Sequence, residues 1–330
     1  MQLRVTHVSR YNYQPVVETS HHLACLLPVD TRRQKVLASR LQIEPAPAQI
    51  SERADVYGNR RSWFSLNQSH STLTVTAEST VETRPPPSCD SQMTWEAVRE
   101  LLRYRVGADW DPESEFCFAS PHIPRHQDFV TYAQPSLSPQ RPLHTAAIEL
   151  MQRIHRDCRY VTASTDIGTP AVEALARRRG VCQDFAHILI ACLRAWGLAA
   201  RYVSGYLLTE PPPGQPRLTG ADASHAWAQV YLPDLPGAGE GAGWYDLDPT
   251  NNRHGWGTPG EDYVTLAIGR DYADISPIRG VIHGGARHTL SVAVTVAPVD
   301  EGAPEVLAAS AAAETDRAET GLTSIPEDQT

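Results

Sequence analysis

The sequence predicts an α+β protein: one strongly amphipathic helix laid against an antiparallel sheet, preceded by an all-β module. Three observations carry this. Alternating apolar and polar residues recur through the first 84 positions, a single apolar helical stripe runs over residues 181–198, and short alternating segments separated by proline- and glycine-rich stretches follow it.

The first module reads as strands. Leu3, Val5 and His7 alternate with Arg4 and Thr6, Leu41 and Ile43 with Arg40 and Gln42, and Leu73, Val75 and Ala77 with Thr74, Thr76 and Glu78. Tyr57-Gly58-Asn59 supplies a tight turn before a strand over Trp63–Leu66, so residues 1–84 are expected to form a small antiparallel sandwich-like unit. Arg84-Pro85-Pro86-Pro87 ends it, because proline cannot donate into a ladder. Residues 94–106 have helical spacing, with Thr94 as cap and Gly107 as stop, and 108–141 read as an irregular connector. Helical spacing resumes at Pro142, with Leu143, Ala147, Leu150, Met151 and Ile154 on one face.

The stripe Phe185, Ile188, Leu189, Cys192, Leu193 and Trp196 makes 181–198 the clearest helix, and Gly197 stops it. Strands are expected over 200–208, 224–232, 243–248 and 287–296. The domain organisation is therefore 1–84, a helix and connector over 85–141, a core over 142–298, and a disordered acidic tail over 299–330. The tail holds eight acidic residues and one arginine from Asp300 onward, which accounts for most of the net charge of −9. This balance argues against general nucleic-acid binding, which requires a basic surface. The absence of a long apolar run, and of zinc-type spacing among the six cysteines, predicts a soluble cytoplasmic protein without membrane span, disulfide framework or structural metal.

Cys182 stands apart from the other cysteines. It opens the strong helix, where unpaired backbone N–H groups and the positive end of the helix dipole favour thiolate over thiol. Cys192, inside the apolar stripe, reads as a small buried hydrophobe. On the segment Ser224–Val230, His225, Trp227 and Gln229 share one face, and Ala226, Ala228 and Val230 the other, expected to be the core side. A carboxylate on the adjacent strand could hold the imidazole in the tautomer that takes a proton from sulfur, which gives the order Cys, His, Asp. Asp246 and Asp248 point to the same face, so periodicity does not choose between them. Asp184 reads as a dipole complement, and His187 as a structural hydrogen-bonding group reaching toward the N-terminal module.

Four ordered blocks, Gly180-Val181-Cys182-Gln183-Asp184-Phe185-Ala186-His187, Ala199–Tyr206, Ala223-Ser224-His225-Ala226-Trp227 and Leu247-Asp248-Pro249-Thr250-Asn251, resemble the transglutaminase-like cysteine-enzyme superfamily. The similarity is to its bacterial cysteine-protease branch, with the β-rich N-terminal region matched by the Arg4–Tyr13 start and the Asp55–Asn59 turn. The resemblance implies a papain-like core in which Cys182 is the nucleophile, His225 the base and Asp248 the orienting acid. It further implies cleavage or exchange of amide bonds in a peptide or protein substrate through a thioester, with no metal or organic cofactor. Gln183 stands where the animal crosslinking enzymes carry tryptophan, and no calcium-binding insertion is evident, so the resemblance does not extend to calcium-activated crosslinking.

The first oxyanion donor is expected to be the backbone N–H of Cys182, with Gln183 a second candidate by adjacency. Hydrolysis of an amide is the leading expectation. Acyl transfer through the same residues and a non-catalytic peptide-binding module on the same fold are the alternatives. A metal centre built from Cys182, His225 and Asp248 is disfavoured by the position of the thiol at a helix start and the lack of a close ligand pair.

Overall fold

Strand β1 (Gln2–Ala24) dominates the N-terminal half because its 23 residues serve two sets of neighbours. A computed structural model describes residues 1–107, 111–162, 168–209, 224–236, 243–285 and 287–299. With β2 (Gln34–Glu44), β3 (Gln49–Ala54), β4 (Arg60–Leu66) and β5 (His70–Thr83), β1 forms an antiparallel sheet ordered β2-β5-β1-β4-β3. The sheet curls over its own apolar cluster, which includes Val17, Phe64, Leu66, Leu73 and Val75.

Short helices follow. Helix α1 (Trp95–Leu101) starts on Thr94, whose side chain accepts from the Ala97 N–H, as the sequence predicts. It ends before Gly107, because Tyr104 and Val106 are exposed and offer no face to bury. The connector expected to be irregular holds a 3₁₀ turn over Pro112–Cys117 and helix α2 (Gln127–Ala133), whose Phe129 and Ala133, four apart, are both buried. Helix α3 (Leu143–Asp157) begins after Pro142 as expected. A two-residue strand β6 (Arg159–Tyr160), helix α4 (Ala171–Arg177) and a two-residue strand β7 (Arg179–Gly180) lead into helix α5 (Cys182–Ala195).

Helix α5 is buried along almost its whole length, from Asp184 to Arg194. Each large apolar side chain of its stripe contributes roughly 1.5–3 kcal/mol by leaving water. It packs on a five-stranded antiparallel sheet ordered β11-β10-β9-β8-β12, made of β8 (Ala200–Leu207), β9 (Ser224–Tyr231), β10 (Trp244–Asp248), β11 (Arg253–Trp256) and β12 (Tyr263–Gly269). Ala226, Ala228 and Val230 join the core shared with α5, as the alternation predicts.

The chain then returns to the first module. Strands β13 (Ile278–Gly284) and β14 (Arg287–Pro298) both pair antiparallel with β1, so the segment expected to close the core instead completes a seven-stranded N-terminal sheet. Pairing across nearly 280 positions leaves no local trace in sequence, which is why periodicity finds the strand and misses its partner. Two side-chain amides join the modules at the outer edge of β12. Gln34 exchanges two 2.8 Å hydrogen bonds with the backbone of Thr265, and Asn59 exchanges two of 2.7 Å with that of Ile268. Each amide mimics a ladder residue and caps a strand edge that would otherwise be unpaired. The Asp55 carboxylate organises the turn that presents Asn59, accepting from the N–H groups of Tyr57 and Asn59 and from Arg61.

The predicted proline- and glycine-rich loops over 211–214 and most of 235–243, with the predicted flanking stretch to 222, lie outside the described residues, as does the tail from 300. No helix among the described residues is long and apolar enough to cross a membrane.

Candidate active site

The start of α5 is built by its own sequence. Asp184 turns its carboxylate back to accept from the Val181 N–H at 2.8 Å, closing the first turn of the helix. This requires Gly180, since a Cβ there would sit 2.6 Å from the Asp184 carboxylate. The expected dipole complement is therefore also a backbone cap. Cys182 occupies the first helical position and is half-buried.

Pairing of Gly205 on β8 directly opposite His225 on β9 sets the next group. A Cβ at Gly205 would lie 2.6 Å from the Trp227 indole, so the glycine makes room for the ring that walls His225 on one side. Tyr263 walls it on another. His225 is buried and its Nε2 lies 2.7 Å from Asp248 Oδ2. Cys182 is near enough to act on the imidazole and help raise its pKa, and with Nε2 committed to Asp248, Nδ1 is the nitrogen left for sulfur. The three residues singled out from sequence are thus brought together.

The tie between the carboxylates is resolved by strand register. Asp246 lies opposite Gln229, four residues along β9 from His225, and its Oδ1 accepts from Trp227 Nε1 at 2.7 Å and Gln229 Nε2 at 2.8 Å. Asp248, at the strand end, meets the imidazole. Its Oδ2 also accepts from the Tyr263 hydroxyl at 2.7 Å and Asn251 Nδ2 at 2.8 Å, and its Oδ1 from the Thr250 N–H at 2.9 Å.

Burial alone would raise the Asp248 pKa, but the hydrogen bond and charge of His225, with those from Tyr263 and Asn251, outweigh it and hold the carboxyl below its ordinary range. For His225, burial works against protonation, yet the hydrogen bonds and charges of Asp248 and Cys182 carry its pKa up to about 10. Asp246, buried among neutral donors, is pushed up to about 7 by desolvation. Burial likewise raises the pKa of each of the other five cysteines.

Several neighbours escaped sequence reading. Tyr263 belongs to an apolar strand that periodicity did not flag. His155 on α3 lies 3.0 Å by its Nδ1 from the Pro249 carbonyl and so fixes the turn after Asp248. Tyr160, about half exposed, packs edge-on against Phe185, 6.3 Å between ring centroids, and its pKa is raised by burial and then by the nearness of Cys182. Only the Tyr160–Val161 apolar pair just after α3 could have signalled it. His187 does not reach the N-terminal module. It stacks on His122 at 5.5 Å, and its Nε2 accepts from the Tyr272 N–H. Among the described residues no group of three His, Cys, Asp or Glu is placed to hold a metal ion.

Residues 3–82 match the model of the bacterial transglutaminase-like N-terminal region, and residues 130–249 that of the transglutaminase-like superfamily. The chain belongs to the transglutaminase-like superfamily. Uncharacterized proteins of Mycobacterium bovis and Mycobacterium tuberculosis are each 43% identical over 304 residues, covering 90% of this chain and 93% of theirs. One from Mycobacterium leprae is 30% identical over 299 residues, 89% of this chain and 98% of its own. A crystal structure from Cytophaga hutchinsonii, described as a "putative cysteine protease", superposes with a TM-score of 0.67 at 21% identity over 92% of this chain and 93% of that one. It shares the transglutaminase-like fold.

Proposed function

We propose that the protein is a cysteine-dependent amide-bond hydrolase acting on peptide or protein substrates. The observation that carries this reading is the imidazole of His225, held at 2.7 Å by Asp248 and raised in pKa by Asp248 together with Cys182, the residue that opens helix α5. The proton of sulfur passes to His225, and the resulting thiolate attacks the amide carbonyl. The oxyanion is held at the backbone N–H of Cys182, one of the donors a helix start leaves without an internal partner. Imidazolium then gives its proton to the leaving amine as the C–N bond breaks, leaving a thioester on Cys182. Water, deprotonated by His225, releases the acid and restores the thiol. Asp248 holds the imidazole in the tautomer that serves both steps and offsets its charge.

No metal or organic cofactor enters this chemistry. Six unpaired cysteines accord with a reducing compartment, and we assign the protein to the cytoplasm.

Brief alkylation with chloroacetamide at pH 6, where an ordinary thiol of pKa ~8.5 is protonated, followed by intact mass and peptide mapping, tests the nucleophile. Cys182 is expected to label first, and His225→Ala to lose that preference. A panel of peptide amides, with and without added amine acceptors, then separates hydrolysis from acyl transfer. Slow labelling of Cys182, no faster than the other thiols, would sink the reading and favour a peptide-binding module.

A further inference from the structure

The two-residue strand β6 lies beside the candidate nucleophile and, among the described residues, has one edge paired and the other open. Its pairing with β7 is parallel, Arg159 opposite Arg179 and Tyr160 opposite Gly180. The N–H of Arg159 donates to the Arg178 carbonyl at 2.9 Å and that of Val161 to the Gly180 carbonyl at 3.0 Å. Backbone groups alternate in direction along a strand, so Tyr160, between them, turns its N–H and C=O away from β7. Among the described residues no third strand pairs there.

That open edge adjoins the chemistry. Gly180 pairs with Tyr160 and is followed two residues later by Cys182, the Tyr160 ring rests on Phe185 in the first turn of α5, and burial with the nearness of Cys182 raises the Tyr160 pKa. Tyr160 and Val161 are 50% and 40% exposed, two large apolar side chains side by side. A bare strand edge is a template for another extended chain, and main-chain hydrogen bonds across it bind with little regard to side-chain identity.

We propose that the open edge of β6 is the acyl-donor subsite, where an extended peptide pairs with the backbone N–H and C=O of Tyr160 and so delivers its scissile carbonyl to Cys182. This rests on Cys182 being the nucleophile and narrows the substrate class to extended peptide segments, in preference to small free amides. Each residue of an added strand advances ~3.3 Å, so the paired substrate residue lies on the acyl side of the scissile bond, within a few residues of it. The apolar surface of Tyr160 and Val161 flanks that residue.

The test uses the full chain and three kinds of probe of known composition: chloroacetamide, acetyl-alanyl chloromethyl ketone, and acetyl-tri-alanyl chloromethyl ketone with its singly N-methylated analogues. Second-order alkylation rates at Cys182 are read by intact mass and peptide mapping. The tri-alanyl ketone is expected to react roughly tenfold or more faster than the single-residue ketone, which carries the same reactive group. N-methylation at one amide, and not at the others, should return it to the single-residue rate, since a blocked N–H loses a main-chain hydrogen bond. In Tyr160→Ala, which keeps the backbone groups, sensitivity to that N-methylation should persist.

Equal rates for the tri-alanyl and single-residue ketones would overturn the proposal. So would a rate advantage that survives every N-methylation and vanishes in Tyr160→Ala, because recognition would then belong to the ring and not to the strand edge. Failure of chloroacetamide to label Cys182 ahead of the other thiols would overturn the nucleophile reading, and this one with it. A protein that labels normally with chloroacetamide but shows no peptide advantage leaves the nucleophile intact and removes only the strand.

Discussion

His225 and His187 are both buried in the same α5–sheet layer, yet their electrostatics run in opposite directions. His225 meets a carboxylate at 2.7 Å and a thiol, and against the cost of burial its pKa is carried up to about 10. His187 is stacked on His122, packs at a tilt against Tyr202 and accepts a backbone N–H, so burial drives its pKa down to about 3, with only partial opposition from Asp271. Burial alone therefore does not make a histidine neutral; the hydrogen-bond partner decides. The first arrangement favours a protonated imidazole beside the proposed nucleophile, and the second is a neutral brace between α5 and the segment after β12.

The largest expected effect comes from removing the partner that separates the two sites. Asp248→Asn keeps the size of the side chain but offers no charge to the imidazole, and peptide hydrolysis and selective alkylation of Cys182 should fall by roughly 10²–10⁴-fold. A steady-state rate within a few-fold of the unmodified protein would show that Asp248 does not orient the base. The pH profile sharpens the same contrast. The raised pKa of His225 makes its contribution to stability complete below pH 6.5 and lost as pH rises toward about 10. The lowered pKa of Asp248 makes its contribution present above its ordinary value of 3.8 and lost as pH falls below it. Denaturant midpoints measured across pH 4–10 should flatten at the alkaline end in His225→Ala.

A smaller effect is expected at the helix start. Gly180→Ala introduces a Cβ 2.6 Å from the Asp184 carboxylate, which must rotate away and release the Val181 N–H. Loss of a cap costs ~0.5–2 kcal/mol, and the displaced thiol should lower the alkylation rate at Cys182 by about tenfold. Unchanged alkylation together with unchanged stability would mean that this cap does not position the thiol.

His187 supplies the opposite pH slope. Its lowered pKa favours the neutral ring on folding, a contribution present above pH 6.5 and lost as pH falls toward about 3. His187→Gln keeps an acceptor for the Tyr272 N–H and removes the titration, so unfolding midpoints should decline less between pH 6.5 and 4 than in the unmodified protein. Hydrolysis at pH 7 is expected to stay within about threefold. A loss comparable to that of Asp248→Asn would move His187 into the working site.

What could be seen in advance follows from the range of the forces involved. The α5 stripe, the Thr94 cap and the alternation of β9 are local, set by side chains within a turn or two, and they were legible. Cys182 and His225 were legible because a thiol at a helix start and an imidazole on a strand are local features as well. Local periodicity does not choose Asp248 over Asp246, since a period of two gives both the same face; the family resemblance names Asp248, and in the structure the register of β10 on β9 separates the two. The return of β13 and β14 to β1 and the Gln34 and Asn59 clasps on β12 involve partners more than 200 positions apart, about which local patterning is silent. Tyr160 was invisible for a different reason: a two-residue strand has no period to read.

The two carboxylates of β10 offer the finest comparison and the smallest expected change in activity. Asp246 is fully buried among the neutral donors Trp227 and Gln229, and desolvation raises its pKa to about 7. The sign is therefore opposite to that of Asp248. Its contribution to stability is complete below pH 3.8 and is lost as pH rises through about 7, because above that point the folded state must hold an unpaired charge or give up folding free energy to keep the proton. Asp246→Asn retains an oxygen to accept from Trp227 and Gln229 and never ionises. Compared with the unmodified protein, the variant should gain in urea midpoint at pH 8 relative to pH 5, while hydrolysis at pH 7 changes by no more than about threefold. Equal midpoint shifts at the two pH values would mean that Asp246 does not titrate in this interval. A drop in rate as deep as that of Asp248→Asn would mean that the environment of β10, and not the contact with His225, distinguishes its two acids.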